Sequence, residues 1–291
     1  MRSLRRTMLF VPANNPNMMV NAVVFRPDAI IFDLEDAIAL REKDSARDLL
    51  VEALKTVDYE GIEILVRVNP LYTPFGETDV RELVKAGLRN IRLPMTETKE
   101  DIEKLDALLW ELEKENDIEP GSVKILGAIE TAKGVINAPG IATASTRMVG
   151  ISFGAEDFTR TIGAERSKGG QELFVARSQI VLAAAAAGID AIDTVFADVE
   201  DIEGFRREVE SAKALGFAGK SVIHPSQIPV VHDVFTPTME EVEKALRVMQ
   251  AIEDAEKRGL GVISLDGKMV DAPVVARAAK VVRLAKGAKI L

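Results

Sequence analysis

Glu130 and Asp157 are spaced in this sequence as two carboxylates that could share a hard cation. Glu130 closes the apolar run KILGAIE (124–130), and Asp157 closes the run RMVGISFGAED (147–157). If the two runs are neighbouring parallel strands, their acids face one another on one rim. Two monodentate carboxylates completed by water and substrate oxygens suit Mg2+, which demands an octahedral oxygen shell and dehydrates reluctantly. A pair of rim carboxylates salt-bridged to helix arginines has the same spacing, so both readings stand open at this level.

Arg67 lies inside the apolar run ILVRV, where a guanidinium must find an anion or remain a costly buried charge. Its planar fork suits a substrate carboxylate held by two hydrogen bonds. The alternative is a structural ion pair with Asp33, Glu35 or Asp36 of the acidic stretch FDLED. That stretch in turn reads either as an orienting partner for the arginine or as the acid-rich start of a helix. Asp271, in KMVDAPVV, resembles a helix N-cap with Pro273 two residues on, and would matter chemically only as a proton carrier in a dry site.

Several chemistries are disfavoured. The chain has no cysteine, which removes disulfides, thiolate nucleophiles and thiolate metal sites, and only two histidines. His224 ends an apolar run, where it could touch substrate or, the plainer reading, stand as a hydrogen-bonded rim residue, and His232 falls on a helix; neither has the company a histidine metal site needs. Lys124 and Lys220 begin their runs instead of ending them, which places them at the bottom of a barrel and argues against a Schiff-base nucleophile. Lys43 and Arg47, near the start of a helix, are weak phosphate candidates beside the plainer reading of a solvated face. The formal charge of −9 argues against nonspecific nucleic-acid binding.

These residues are positioned by an alternation of strand and helix patterns. Eight short apolar runs recur, at 7–12, 28–36, 62–70, 91–94, 124–130, 147–157, 191–198 and 220–224, most of them too continuously apolar for one-sided strands. Helical patterns separate them at 16–24, 39–56, 78–86, 99–116, 132–144, 171–187 and 199–215, with Gly87, Gly188 and Gly216 at C-cap positions. Eight repeats predict an α/β fold, a (β/α)8 TIM barrel over 1–236, whose chemistry belongs at the carboxyl ends of the strands. The first turn, PANNPN, carries no GxGxxG, so a dinucleotide cofactor has little support. From 237 to 291 a charged helix, a hairpin at 261–270 turning on Asp266-Gly267, and a last helix form a small extension that packs on its own barrel or a neighbour. No stretch reaches the roughly 20 apolar residues of a membrane span, and the basic start MRSLRR leads into too short a core for a secretory signal, so the expected location is the cytoplasm.

The blocks RRTMLFVPANN, IIFDLEDAIALREKDSAR, VRVNPLYTPFGETDV, RLPMTETKEDI, AIETAKGVINAPGIA, GFAGKSVIHPSQI and RGLGVISLDGKMVDAPVVARA resemble the HpcH/HpaI aldolase and acyl-CoA lyase family, which includes the β subunit of citrate lyase. The resemblance spans essentially the whole chain. It implies the same barrel with a small C-terminal extension, a Mg2+ cofactor, and reversible Claisen-type cleavage of a 3-hydroxy-3-carboxy thioester. It further implies that Glu130 and Asp157 hold the metal, that Arg67 and Glu130 meet the keto acid, and that Asp271 acts as acid or base at the acetyl carbon from a lid over a neighbouring subunit's site. The resemblance also implies a homo-oligomer, trimer or hexamer. The substrate is then a citryl thioester on acyl carrier protein or CoA; malyl-CoA and citramalyl-CoA are alternatives, as is a subunit active only with citrate lyase partners. Departures at Met95 and Ala13 leave the thioester carrier open.

Overall fold

The computed structural model describes residues 4–256, 263–265 and 268–291, in two compact units, Arg5–Val231 and Leu4 together with His232–Leu291. In the larger unit eight parallel strands close into a barrel in chain order. They are β1 (Thr7–Pro12), β2 (Ala29–Asp33), β3 (Glu63–Arg67), β4 (Asn90–Leu93), β5 (Lys124–Ile129), β6 (Met148–Phe153), β7 (Asp190–Asp193) and β8 (Gly219–Val222). The helices are α1 (Pro16–Asn21), α2 (Lys43–Thr56), α3 (Gly76–Lys85), α4 (Lys99–Glu115), α5 (Ala132–Ala142), α6 (Ala155–Ile162), α7 (Phe174–Ala187), α8 (Ile202–Leu215) and α9 (Gln227–Phe235), the last crossing the unit boundary. The expected (β/α)8 architecture is the one found.

Successive side chains on a strand alternate between faces, so residues two apart share the barrel interior. Met8, Ala29, Ile31, Leu65, Leu126 and Ile192 form an apolar floor, with Phe10 packed on it. Two residues further along their strands, Ile31 gives way to Asp33 and Leu65 to Arg67; four beyond Leu126 comes Glu130. The barrel therefore changes from apolar to charged towards the carboxyl ends of its strands. Its opposite end is tied by ion pairs at strand starts: Arg5 bonds Glu63 at 2.7 Å and Asp190 at 2.9 Å, and Arg6 bonds Asp28 at 2.8 Å.

One element departs from the sequence pattern. The segment GAEDFTRTIG gives no long apolar periodicity, yet Ala155–Ile162 forms α6 directly after β6. With eight residues it is too short to show a helical stripe clearly, and it is held instead by burial of Ala155, Phe158 and Thr159 and by the left-handed Gly163 cap. Its consequence is that Asp157 stands in the first turn of a helix, not on a strand end.

The smaller unit contains α10 (Met239–Glu256), an antiparallel pair of β9 (Ile263–Leu265) with β10 (Lys268–Val270), and α11 (Ala272–Gly287). Ala245, Val248, Val270 and Ala278 form its core. Asp271 caps α11 as its sequence suggested, its side chain accepting from the Val274 amide at 3.2 Å. The Asp266-Gly267 turn lies outside the described residues, as do 257–262. Among the described residues no helix is long and apolar enough to cross a membrane.

Candidate active site

A cavity of about 450 Å3 opens at the carboxyl ends of the strands, lined among others by Phe10, Asp33, Arg67, Arg92, Glu130 and Asp157. The structure thus brings Glu130, Asp157 and Arg67 into one pocket. Asp271 belongs to the other unit.

Glu130 follows β5 and is 97% withdrawn from solvent, its exposure being 3%. Its nearest counter-charge is Arg92, with Nη2 3.8 Å from Oε1, beyond hydrogen-bonding distance. Burial pushes its carboxyl pKa up; Arg92 and Arg67 pull the other way, and the charge of Asp157 adds to the rise. Room for the side chain comes from Gly154, just after β6, where a Cβ would overlap Glu130 Cγ. Asp157 is partly exposed and accepts from Arg160 at 2.6 Å, one turn along α6.

A buried carboxylate with no hydrogen bond among the described residues, on the same cavity as a second carboxylate, suits a hard divalent cation. Among the described residues no group of three or more His, Cys, Asp or Glu side chains is arranged to hold a metal. Two protein carboxylates leaving the remaining positions to water and substrate suit Mg2+ better than a fully caged ion. The residues present therefore fit the implied metal.

Arg67 ends β3, and its Cα pairs across the ladder with Asp33 on one side and Arg92 on the other. Nε and Nη2 bond the two Asp33 oxygens at 2.7 and 2.6 Å, and Nη1 bonds Asp36 at 3.0 Å. Glu35 Oε2 is also 3.0 Å from Nη1 but without hydrogen-bond alignment. Three of the five guanidinium N–H groups are thus engaged, and two remain. The ion pair that the sequence allowed is formed, while the group still faces the cavity. Burial alone would raise the Asp33 pKa, but the Arg67 bonds and the amides of Glu35 and Ala37 hold it below the usual range. Glu35 is pushed up to about 8, chiefly by burial, with Arg67 opposing and Glu130, Asp36 and Asp33 adding.

Arg92 has no counterpart among the residues the sequence singled out. It sits on β4, is 3% exposed, and its Nε and Nη1 have no hydrogen-bond partner among the described residues. Burial, helped by the charge of Arg67, lowers its pKa to about 10, with Glu130 opposing. Both guanidinium carbons lie over the Phe10 ring, at 5.0 Å for Arg67 and 4.9 Å for Arg92. The sequence does carry a signal for it: IRLP, like ILVRV, sets an arginine in an apolar strand.

Other candidates are accounted for by structure. Lys43 is buried and donates to the Leu34 and Glu35 carbonyls at 2.9 and 2.7 Å, and Arg47, also buried, pairs with Asp44 at 2.9 Å and Asp79 at 3.5 Å while its Nε and Nη1 have no hydrogen-bond partner among the described residues. Lys124 bonds the Gly121 carbonyl at 2.7 Å. Lys220 is fully buried, 2.7 Å from both Asp193 and Glu208, and Asp193 is shared with Arg177 at 2.9 Å. Asn69 is buried, bonding Leu34 and Asp79 at 3.0 and 2.7 Å. His224 is an exposed rim residue 2.7 Å from Ser226 Oγ.

Comparison with known proteins supplies the relatives of this chain. A family model described as HpcH/HpaI aldolase/citrate lyase matches residues 6–225. Citrate lyase subunit beta of Leuconostoc mesenteroides subsp. cremoris is 51% identical over 97% of this chain and 93% of its own length. The mitochondrial citramalyl-CoA lyase of Rattus norvegicus is 32% identical over 98% of this chain and 87% of its own. Among solved structures, the CitE protein of Mycobacterium tuberculosis in complex with magnesium, acetoacetate and coenzyme A superposes with a TM-score of 0.77 at 33% identity, covering 98% of this chain and all of that one.

Proposed function

The chain belongs to the HpcH/HpaI aldolase/citrate lyase family and is a lyase of the citrate lyase type, and from that premise we propose that it cleaves a citryl thioester to oxaloacetate and an acetyl thioester, with Mg2+ held by Glu130 and Asp157. The observation that carries the reading is the buried, unbonded carboxylate of Glu130 sharing a cavity with Asp157 and two arginines. The 51% identity to a citrate lyase β subunit, against 32% to a citramalyl-CoA lyase, favours citryl. The carrier is acyl carrier protein or CoA.

In cleavage, the bond between the hydroxyl-bearing carbon and the thioester α-carbon breaks. The hydroxyl loses its proton and becomes the keto oxygen, and the electron pair passes to the α-carbon, which takes up a proton. Magnesium, when bound, supplies positive charge to the oxygen that becomes the keto carbonyl. Arg67, held by Asp33, directs its two remaining N–H donors at the carboxylate of the keto acid. Glu130, through the metal it would hold, also positions the keto acid. Asp271 is the proton carrier at the α-carbon, with the 237–291 extension serving as a lid on a neighbouring copy of the 1–236 barrel. A lid acting in trans requires a homo-oligomer, for which the family resemblance favours a trimer or hexamer, and the reading sets the enzyme in the cytoplasm.

Alanine at Glu130 or Asp157 is expected to abolish Mg2+-dependent cleavage of the citryl thioester while the chain stays folded. Unchanged turnover in either variant would remove the metal assignment. A second reading rests on the designation of the 51% identical relative as a subunit: the chain would then bind Mg2+ and keto acid alone but turn over only when partner subunits are added. Malyl-CoA and citramalyl-CoA, assayed beside the citryl thioesters, separate the substrate alternatives.

A further inference from the structure

Arg92 and Arg67 are Cα partners on adjacent strands, two cations side by side at one level of the barrel. Directly opposed like charges destabilise a sheet unless counter-charge is supplied. For Arg67 it is supplied by Asp33, Asp36 and Glu35. For Arg92 the nearest acid among the described residues is Glu130 at 3.8 Å, and two of its three nitrogens are buried with no hydrogen-bond partner among those residues. A guanidinium withdrawn from water without acceptors is a costly buried charge. Its stacking on Phe10, 4.9 Å from the ring centroid, offsets only part of that cost. The deficit lies on the wall of the cavity, where a bound anion would remove it.

The three thioesters that suit this family chemistry differ only in one substituent on the carbon that becomes the keto carbon. Citryl carries a carboxymethyl group there, citramalyl a methyl and malyl a hydrogen. All three share the carboxylate assigned to Arg67. Only citryl brings a second one.

We propose that Arg92 is the specificity-determining residue of this site, its unpartnered guanidinium receiving the second carboxylate of a dicarboxylic keto acid. The proposal rests on the citrate-lyase-type reading and narrows it to substrates with a carboxymethyl branch. Arg67 and Arg92 form a two-pronged receptor, one prong for each carboxylate, with Phe10 keeping both forks in place from below. A monocarboxylic keto acid leaves the Arg92 prong unfilled, and discrimination comes from that unsatisfied charge.

The test is isothermal titration of oxaloacetate and pyruvate, in the presence of Mg2+, into the wild-type chain, Arg92→Met and Arg92→Lys. Steady-state cleavage of citryl and citramalyl thioesters runs in parallel. The wild type is expected to bind oxaloacetate more tightly than pyruvate. Arg92→Met should weaken oxaloacetate by about 10- to 100-fold, the worth of a charge-assisted hydrogen-bonded pair, and change pyruvate less than about threefold. Its kcat/KM should fall for citryl, chiefly through KM, and hold for citramalyl. Arg92→Lys keeps the charge without the fork and should lie between, which preserves the test if the methionine variant does not fold. An equal loss for both keto acids would overturn the proposal, because Arg92 would then act through Glu130 alone; so would an unchanged ratio. If oxaloacetate binding behaves as stated but no citryl thioester is cleaved, the reaction assignment fails and the dicarboxylate site stands. Wild-type protein that binds neither keto acid would overturn both.

Discussion

Glu130 packs against the backbone of Gly154 so closely that a Cβ on that residue would overlap Glu130 Cγ. The end of β6 is shaped around a side chain from the end of β5, and the glycine adopts an ordinary extended backbone with φ −108°. The restriction is therefore one of space, not of backbone conformation. Gly154→Ala should displace the Glu130 carboxylate and weaken Mg2+ binding by about 10- to 100-fold, the usual cost of disturbing a ligand's support. Titration of Mg2+ followed by isothermal calorimetry checks this; unaltered affinity would mean that Glu130 does not hold the metal from this position.

Asp271 offers a clean separation of two roles. Asparagine caps a helix about as well as aspartate, accepting from the same amide, but cannot carry the proton. Asp271→Asn should leave the melting temperature unchanged and lower turnover by about two to four orders of magnitude. Equal turnover in the two proteins would reduce Asp271 to the cap of α11.

Lys220 joins Asp193 and Glu208 inside the larger unit, fully buried. Lys220→Met should lower stability by about 3 kcal/mol, because Glu208 and Asp193 lose a buried partner. The variant should still turn over at temperatures where it is folded, and borohydride should trap no keto acid on the wild type. A trapped adduct at this lysine would restore the Schiff-base route.

Stability should fall in acid. Glu113 accepts from both Arg147 Nη atoms, at 2.6 and 2.7 Å, and from the Gly121 and Val123 amides, which together hold its pKa down against the burial that would raise it. Asp193 is likewise lowered by Lys220 and Arg177 against its burial. A carboxylate whose folded pKa is depressed contributes stability above its unfolded value, near 4, and loses it as pH falls through the folded value. In thermal melts the loss of these pairs should therefore appear as a decline below about pH 5, whereas Glu35, whose folded value lies near 8, makes stability rise as pH falls from 8 towards 5. Glu113→Gln should cost about 3 kcal/mol at neutral pH and flatten part of that decline. A melt profile independent of pH down to 3 would show that these pairs do not carry acid stability.

Much of this site could be read from the chain because its charges stand at the ends of apolar runs. Once KILGAIE and ILVRV are taken as strands buried on both faces, Glu130 and Arg67 fall at the carboxyl ends, and eight such runs close a barrel; which face each side chain takes is not written in a continuously apolar run. Asp271 as a helix cap was equally local, requiring only its neighbours. Arg92 obeys the same rule, but IRLP is a run of only four residues, too short for its arginine to stand out. Tertiary structure alone decided the rest. The register that sets Asp33, Arg67 and Arg92 side by side comes from hydrogen bonding between strands tens of residues apart. The fit of Glu130 to Gly154, and the pairing of Lys220 with Asp193 and Glu208, likewise depend on which elements become neighbours. A charge in the sequence says that a partner is required; only the packed chain says whether that partner is another side chain, as for Arg67, or must come from outside, as for Arg92.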